Sequence, residues 1–87
     1  LRVTDFTDTD HVERELVLIK VSTEKKPRSE VLPIVDIFRA KIVDLQPTTV
    51  TVEMTGSHDE IEAIIELLRP FGVKEIVRSG RIAIARG

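Results

Sequence analysis

Residues 49–78 read TVTVEMTGSHDEIEAIIELLRPFGVKEIVR, and the hydrophobic period changes twice within them. Over 49–55, Val50, Val52 and Met54 alternate with Thr49, Thr51, Glu53 and Thr55. An alternation of two puts the apolar set on the inward face of a strand and the polar set on the outward face. Gly56 ends that strand. Ile61, Ile64, Ile65 and Leu68 then fall at i, i+3, i+4 and i+7, one apolar stripe of a helix. Ser57 and Glu60 have the S-x-x-E spacing of a capping box at its start. Arg69 lies near the negative end of the helix, Pro70 stops it, and Phe71-Gly72 form the exit. Residues 73–78, VKEIVR, give the next strand.

The same reading extends in both directions. Upstream, Gln46-Pro47-Thr48 is a turn and AKIVDL, 40–45, a strand, so 40–55 is an antiparallel hairpin. SEVLPIVDIFR, 29–39, places Val31, Ile34, Val35 and Phe38 on one helical stripe, with Ser29 as N-cap and Pro33 in the first turn or marking a slightly later start. ELVLIKVS, 15–22, is a nearly continuous apolar run with β-branched residues, which suits a central strand; TEKKPR follows as a charged loop. Downstream, Ser79-Gly80 is expected to turn the chain back into a short last strand, RIAIAR, 81–86. The order β-α-β-β-α-β predicts an α+β, ferredoxin-like sandwich: an antiparallel sheet, two helices on one face and an extra C-terminal strand. The other sheet face is left for solvent, a ligand or another sheet. Residues 1–11 read as a strand end plus a Thr/Asp-rich linker, and 12–87 as the domain itself.

Bulk properties narrow the function. The chain has 87 residues, net charge −2 and 32% charged residues, enough for one small soluble domain with no overall pull toward nucleic acid or anionic membrane. A domain of this size buries only ~60% of the surface its unfolded chain exposes, so a partner surface would help it. The lack of cysteine excludes disulfides, thiolate metal sites and thiol nucleophiles. No apolar run approaches the ~20 residues of a membrane span, and no signal peptide is visible. A chain that opens on Leu1 rather than Met and closes on Gly87 reads as a piece of something longer.

Residues that could carry catalysis are scarce. His11 and His58 have no companions at metal-ligand spacing and read as solvated surface residues. There is no G-x-S-x-G and no phosphate-binding glycine loop. Asp59, Glu60 and Glu62 at a helix start are accounted for by the helix dipole. Domains of this topology that bind RNA stack bases on sheet aromatics. Here Phe6, Phe38 and Phe71 are the only aromatics, and none lies in a central strand. The expectation is no catalytic, cofactor or metal residue in this chain, and no nucleic-acid or membrane partner.

Three stretches carry a resemblance: VERELVLIKV, 12–21; IVDIFRAKIVDL, 34–45; and TGSHDEIEAIIELLRPFGVKEIVRSGRIAIARG, 55–87. Together they resemble the C-terminal half of the regulatory small subunit of acetohydroxyacid (acetolactate) synthase. The resemblance implies a non-catalytic chain of branched-chain amino-acid biosynthesis. Its partner would be a separate catalytic large subunit carrying thiamine diphosphate, Mg and FAD, and a homodimer is expected. The subunit would raise the enzyme's activity and confer feedback inhibition by valine or a related amino acid. In this resemblance LRVTDFT is the last strand of a preceding ACT domain. The effector loop of ACT domains contains glycine, whereas the loop STEKKPRSE, 22–30, has none. That departure counts against valine binding by this stretch, and the resemblance implies an effector site mainly in the missing domain. The implied compartment is the cytoplasm, or the plastid in a plant.

Surface residues for subunit contact are Thr49, Thr51 and Glu53 on the outward sheet face, and the arginines Arg39, Arg78, Arg81 and Arg86. The second reading is a ferredoxin-like, amino-acid-responsive sensor domain of a transcriptional regulator.

Overall fold

The computed structural model describes residues 10–87, so the expected strand end and most of the linker in 1–11 lie outside the described residues. The strands are β1 His11–Ser22, β2 Lys41–Leu45, β3 Thr49–Gly56, β4 Val73–Arg78 and β5 Ile82–Ala85. The helices are α1 Val31–Ile37 and α2 His58–Leu68, with single 3-10 turns at Arg28–Glu30 and Arg69–Phe71. All pairings are antiparallel, in the order β2-β3-β1-β4, with β5 also on β1. This is the expected ferredoxin-like arrangement.

β1 is central because its alternation lets both neighbours and a helix layer use it. Val17, Ile19 and Val21 are fully buried and sit opposite Met54, Val52 and Val50 of β3. Over them lie Ile61, Ile64, Ile65 and Leu68 of α2, Val31 and Val35 of α1, and Phe71. Each such side chain contributes ~1.5–3 kcal/mol when fully buried, and that sum offsets the chain entropy of folding.

α2 starts with a capping box: Glu60 N donates to Ser57 Oγ at 3.3 Å, and Ser57 N donates to Glu60 Oε1 at 3.0 Å. α1 is shorter than its sequence pattern. The 3-10 turn takes up Ser29, which caps nothing, and the α-helix begins at Val31 with no side-chain cap. Pro33 therefore falls in the first turn, where its missing N–H breaks no helical bond. The helix closes when Arg39 N donates to Asp36 O at 3.2 Å and Ala40 N to Val35 O at 2.9 Å, with Arg39 in left-handed conformation at φ 54. This is a Schellman end with arginine where glycine is usual.

Two further expectations change. β1 begins at His11, four residues before the strand read from sequence, because β5 supplies pairing for residues 11–14. Ser79-Gly80 does not reverse the chain. Val17 faces Arg78 and Arg14 faces Ile82, so β5 runs on in the direction of β4 along the same strand. Two residues of β1 oppose three of the other strand there, a one-residue bulge. Gly80, at φ 82, supplies the left-handed step that lets pairing resume. Ser79 spans the step: its N donates to Leu16 O, and its Oγ accepts from Leu16 N, each at 3.0 Å.

Candidate functional site

Among the described residues, nothing covers the face of the sheet away from the helices. β3 contributes Thr49, Thr51 and Glu53, half-buried and outward as their alternation requires. The register places Leu18 between Glu53 and Val77, and Lys20 between Thr51 and Glu75. Lys20 Nζ donates to Glu75 Oε1 at 3.2 Å. Leu18, Lys20, Thr51, Glu75 and Val77 line a shallow hollow of about 170 Å³. The face is less polar than β3 alone suggested. Leu16 and Leu18 of β1 and Val77 of β4 form an apolar strip, and Val77 is 52% exposed. An apolar centre rimmed by hydroxyls and a paired charge has the make-up of a protein contact surface.

The arginines separate into different roles. Arg78 belongs to the helix side of the sheet. Its Nε donates to Glu15 Oε2 at 3.0 Å and its Nη2 to Glu15 Oε1 at 2.7 Å. Its Nη1 donates to Glu62 Oε2 at 2.7 Å, and Nη2 lies 3.3 Å from His58 Nδ1. One planar fork thus ties β1, β4 and α2 together. Arg78's hydrogen bonds hold the Glu15 carboxyl below its ordinary range, against the opposing effect of burial. The same two carboxylates raise Arg78 further above its usual value. Arg81 lies 3.8 Å from Glu13, and Arg86 3.1 Å from Asp10, both on exposed surface. Arg39 has no ion pair among the described residues and lies exposed at the end of α1.

Both histidines are less solvated than their sequence context indicated. His58 touches Arg78, and His11 Nε2 lies 3.3 Å from Glu13 Oε2. That contact, outweighing desolvation, lowers the Glu13 carboxyl. Among the described residues no group of three or more His, Cys, Asp or Glu side chains could hold a metal ion. Two features escaped sequence reading although parity carried them. Glu15 shares its face with Val17, Ile19 and Val21 and is buried. Val12 and Arg14 share the outward face with Leu16 and Leu18, and they meet Ile84 and Ile82 there.

Comparison with known proteins gives one family. A family model described as the small subunit of acetolactate synthase matches residues 14–87. The acetolactate synthase small subunit of Aquifex aeolicus is 56% identical over 87 residues, covering 99% of this chain and 45% of that protein. The Bacillus subtilis acetolactate synthase small subunit is 48% identical, covering 100% of this chain and 51% of that protein. The crystal structure of the Thermotoga maritima small subunit superposes with a TM-score of 0.84 at 38% identity, covering 95% of this chain and 51% of that one. The chain spans about half the length of the curated relatives it matches. These relatives are named as synthase subunits, so the transcriptional-regulator reading is set aside. The chain belongs to the acetolactate synthase small-subunit family.

Proposed function

We propose that this chain is one half of a regulatory subunit that binds a separate catalytic large subunit of acetolactate synthase and raises its activity. In this reading it supports feedback inhibition by valine or a related branched-chain amino acid. The chemistry resides on the large subunit, with thiamine diphosphate, Mg and FAD as its cofactors. The observation that carries the reading is family membership over nearly the whole chain, joined to an uncovered sheet face with an apolar centre. Effector binding falls mainly to an ACT domain outside this chain, because the loop between β1 and α1 offers no glycine for backbone approach.

The uncovered face would seat a second copy of the chain. Thr49, Thr51 and Glu53 would hydrogen-bond around Leu18 and Val77, as befits a symmetric homodimer contact. Arg39, Arg81 and Arg86 remain exposed and could meet the large subunit. Arg78 is occupied by Glu15 and Glu62 and has a structural role instead. The assembly would work in the cytoplasm, or in the plastid for a plant chain. No helix among the described residues is long and apolar enough to cross a membrane.

The test is reconstitution. The purified catalytic subunit is assayed for acetolactate formation with this chain, with the full-length small subunit, and with valine added to each. Activation and valine sensitivity from the full-length subunit, without valine sensitivity from this chain, are expected. A full-length subunit that neither binds nor activates the catalytic subunit would overturn the reading.

A further inference from the structure

Beyond Glu15, whose partner in β3 is Gly56, β1 leaves the body of the sheet. Residues 11–14 pair only with β5 among the described residues, in the register His11↔Ala85, Val12↔Ile84, Glu13↔Ala83 and Arg14↔Ile82. The result is a two-stranded ribbon. A lone two-stranded ribbon is marginal in water and needs a packed face. On the side of the uncovered sheet face it presents Val12, Ile82 and Ile84, which are 43%, 74% and 70% exposed. With Arg14 and Ala83 they line a hollow of about 180 Å³.

The ends of the described chain identify what could cover this ribbon. Arg86 N donates to Asp10 O at 3.3 Å, and Arg86 Nη1 reaches both Asp10 carboxylate oxygens, at 3.1 and 3.2 Å. Residues 10 and 86 therefore lie side by side at the ribbon tip. An extension of the chain from either end departs from that tip. The relatives carry about as much chain again outside the stretch matched here. Nine residues, 1–9, span at most ~30 Å when extended, so a domain attached there stays within reach of the ribbon.

Size favours this tethered occupant over a freely diffusing one. Three aliphatic side chains fall well short of the ~800 Å² per partner that a specific interface needs. A short tether raises the effective concentration to ~mM, at which a small apolar patch suffices.

We propose that the Val12/Ile82/Ile84 face of the ribbon is the docking surface for the other half of the same subunit. The ribbon would then be the rigid junction through which that half is oriented on this domain. This rests on reading the chain as half of a longer regulatory subunit.

The experiment places a photoreactive benzophenone side chain at Ile84 of the full-length subunit, with a second variant at Ile82 in case the first fails to fold. Exposed Glu66 on α2 serves as the background position. After irradiation, an intrachain product is expected, several-fold more abundant than from Glu66. It should run at the mass of one chain and map outside residues 1–87. A product at the mass of two chains would assign the ribbon to a second copy and overturn the proposal. So would a product with the catalytic subunit alone, or a yield no higher than at Glu66. The unmodified full-length subunit is assayed in parallel for activation of the catalytic subunit. Activation there with no intrachain product sinks the docking proposal and leaves the functional reading standing.

Discussion

Arg78 holds Glu15, 63 positions away in sequence, by two hydrogen bonds of 3.0 and 2.7 Å. Glu15 is only 5% exposed, and Arg78 is the main compensation for its carboxylate, with a smaller contribution from the Gly80 backbone N–H. Removing Arg78 leaves a buried charge without its partner and strands Glu62 as well. Arg78→Ala is therefore expected to destabilise the domain more than Arg81→Ala or Arg86→Ala, whose pairs are solvent-exposed. Urea midpoints of the three variants check the ranking. Equal midpoints would remove the cluster's structural role.

The same pair sets an acid dependence. The folded-state carboxyls of Glu13, Glu15 and Glu60 lie below the ordinary value of 4.5. A carboxyl lowered on folding adds stability that is fully present above its unfolded pKa and lost as pH falls through the folded one. Stability should hold steady from neutral pH down to the ordinary carboxylate range and decline below it. Arg78→Met should flatten that decline, because it removes the main cause of the Glu15 shift. Thermal melts across acidic pH measure the slope. An unchanged slope in the variant would assign the acid dependence to other groups.

The start of α2 offers a local test. Ser57→Ala removes the oxygen that accepts from Glu60 N, at an expected cost of ~1 kcal/mol. Gly56→Ala is expected to act at the same place: a methyl there would sit 3.1 Å from Met54 Cε and 3.3 Å from Glu60 Oε1, so both side chains must shift by a few tenths of an ångström beside that cap. Chemical denaturation of both variants reads the two effects.

Arg39 should respond in the opposite direction. Its φ of 54 costs an L-residue strain that glycine does not feel. Arg39→Gly is expected to raise stability by up to ~1 kcal/mol. If Arg39 also contacts the catalytic subunit, the same substitution weakens activation while the fold gains. Paired denaturation and activation assays separate the two.

The uncovered face makes a prediction about assembly. Val77 is 52% exposed in the single chain, so Val77→Glu should be tolerated by the fold. Placed in a dimer contact beside Leu18, the buried charge should weaken self-association tenfold or more, at ~1.4 kcal/mol per tenfold. Sedimentation of the full-length subunit against concentration gives the answer. An unchanged dimer would move the contact elsewhere.

Much of this was legible from residues alone. The period switch across 49–78, the Ser57/Glu60 box and the stop at Pro70 determine β3, α2 and β4, because each is a local preference that the final packing also satisfies. The same holds for the apolar run of β1 and for the outward position of Thr49, Thr51 and Glu53, which alternation alone sets. The sequence stretches 12–21, 34–45 and 55–87 were also enough to indicate the family.

Other features were decided only in three dimensions. Whether Ser79-Gly80 reverses the chain depends on whether β1 has an open edge to receive residues 82–85, and nothing near Ser79 encodes that. The length of α1 was set by the 3-10 turn before it and the left-handed Arg39 after it, a balance of a few local hydrogen bonds that periodicity does not register. The burial of Glu15 is specified by a guanidinium 63 residues away. Sequence fixes local preference through short-range sterics and side-chain spacing. Pairings across long loops are chosen by which buried groups find partners once the sheet has closed.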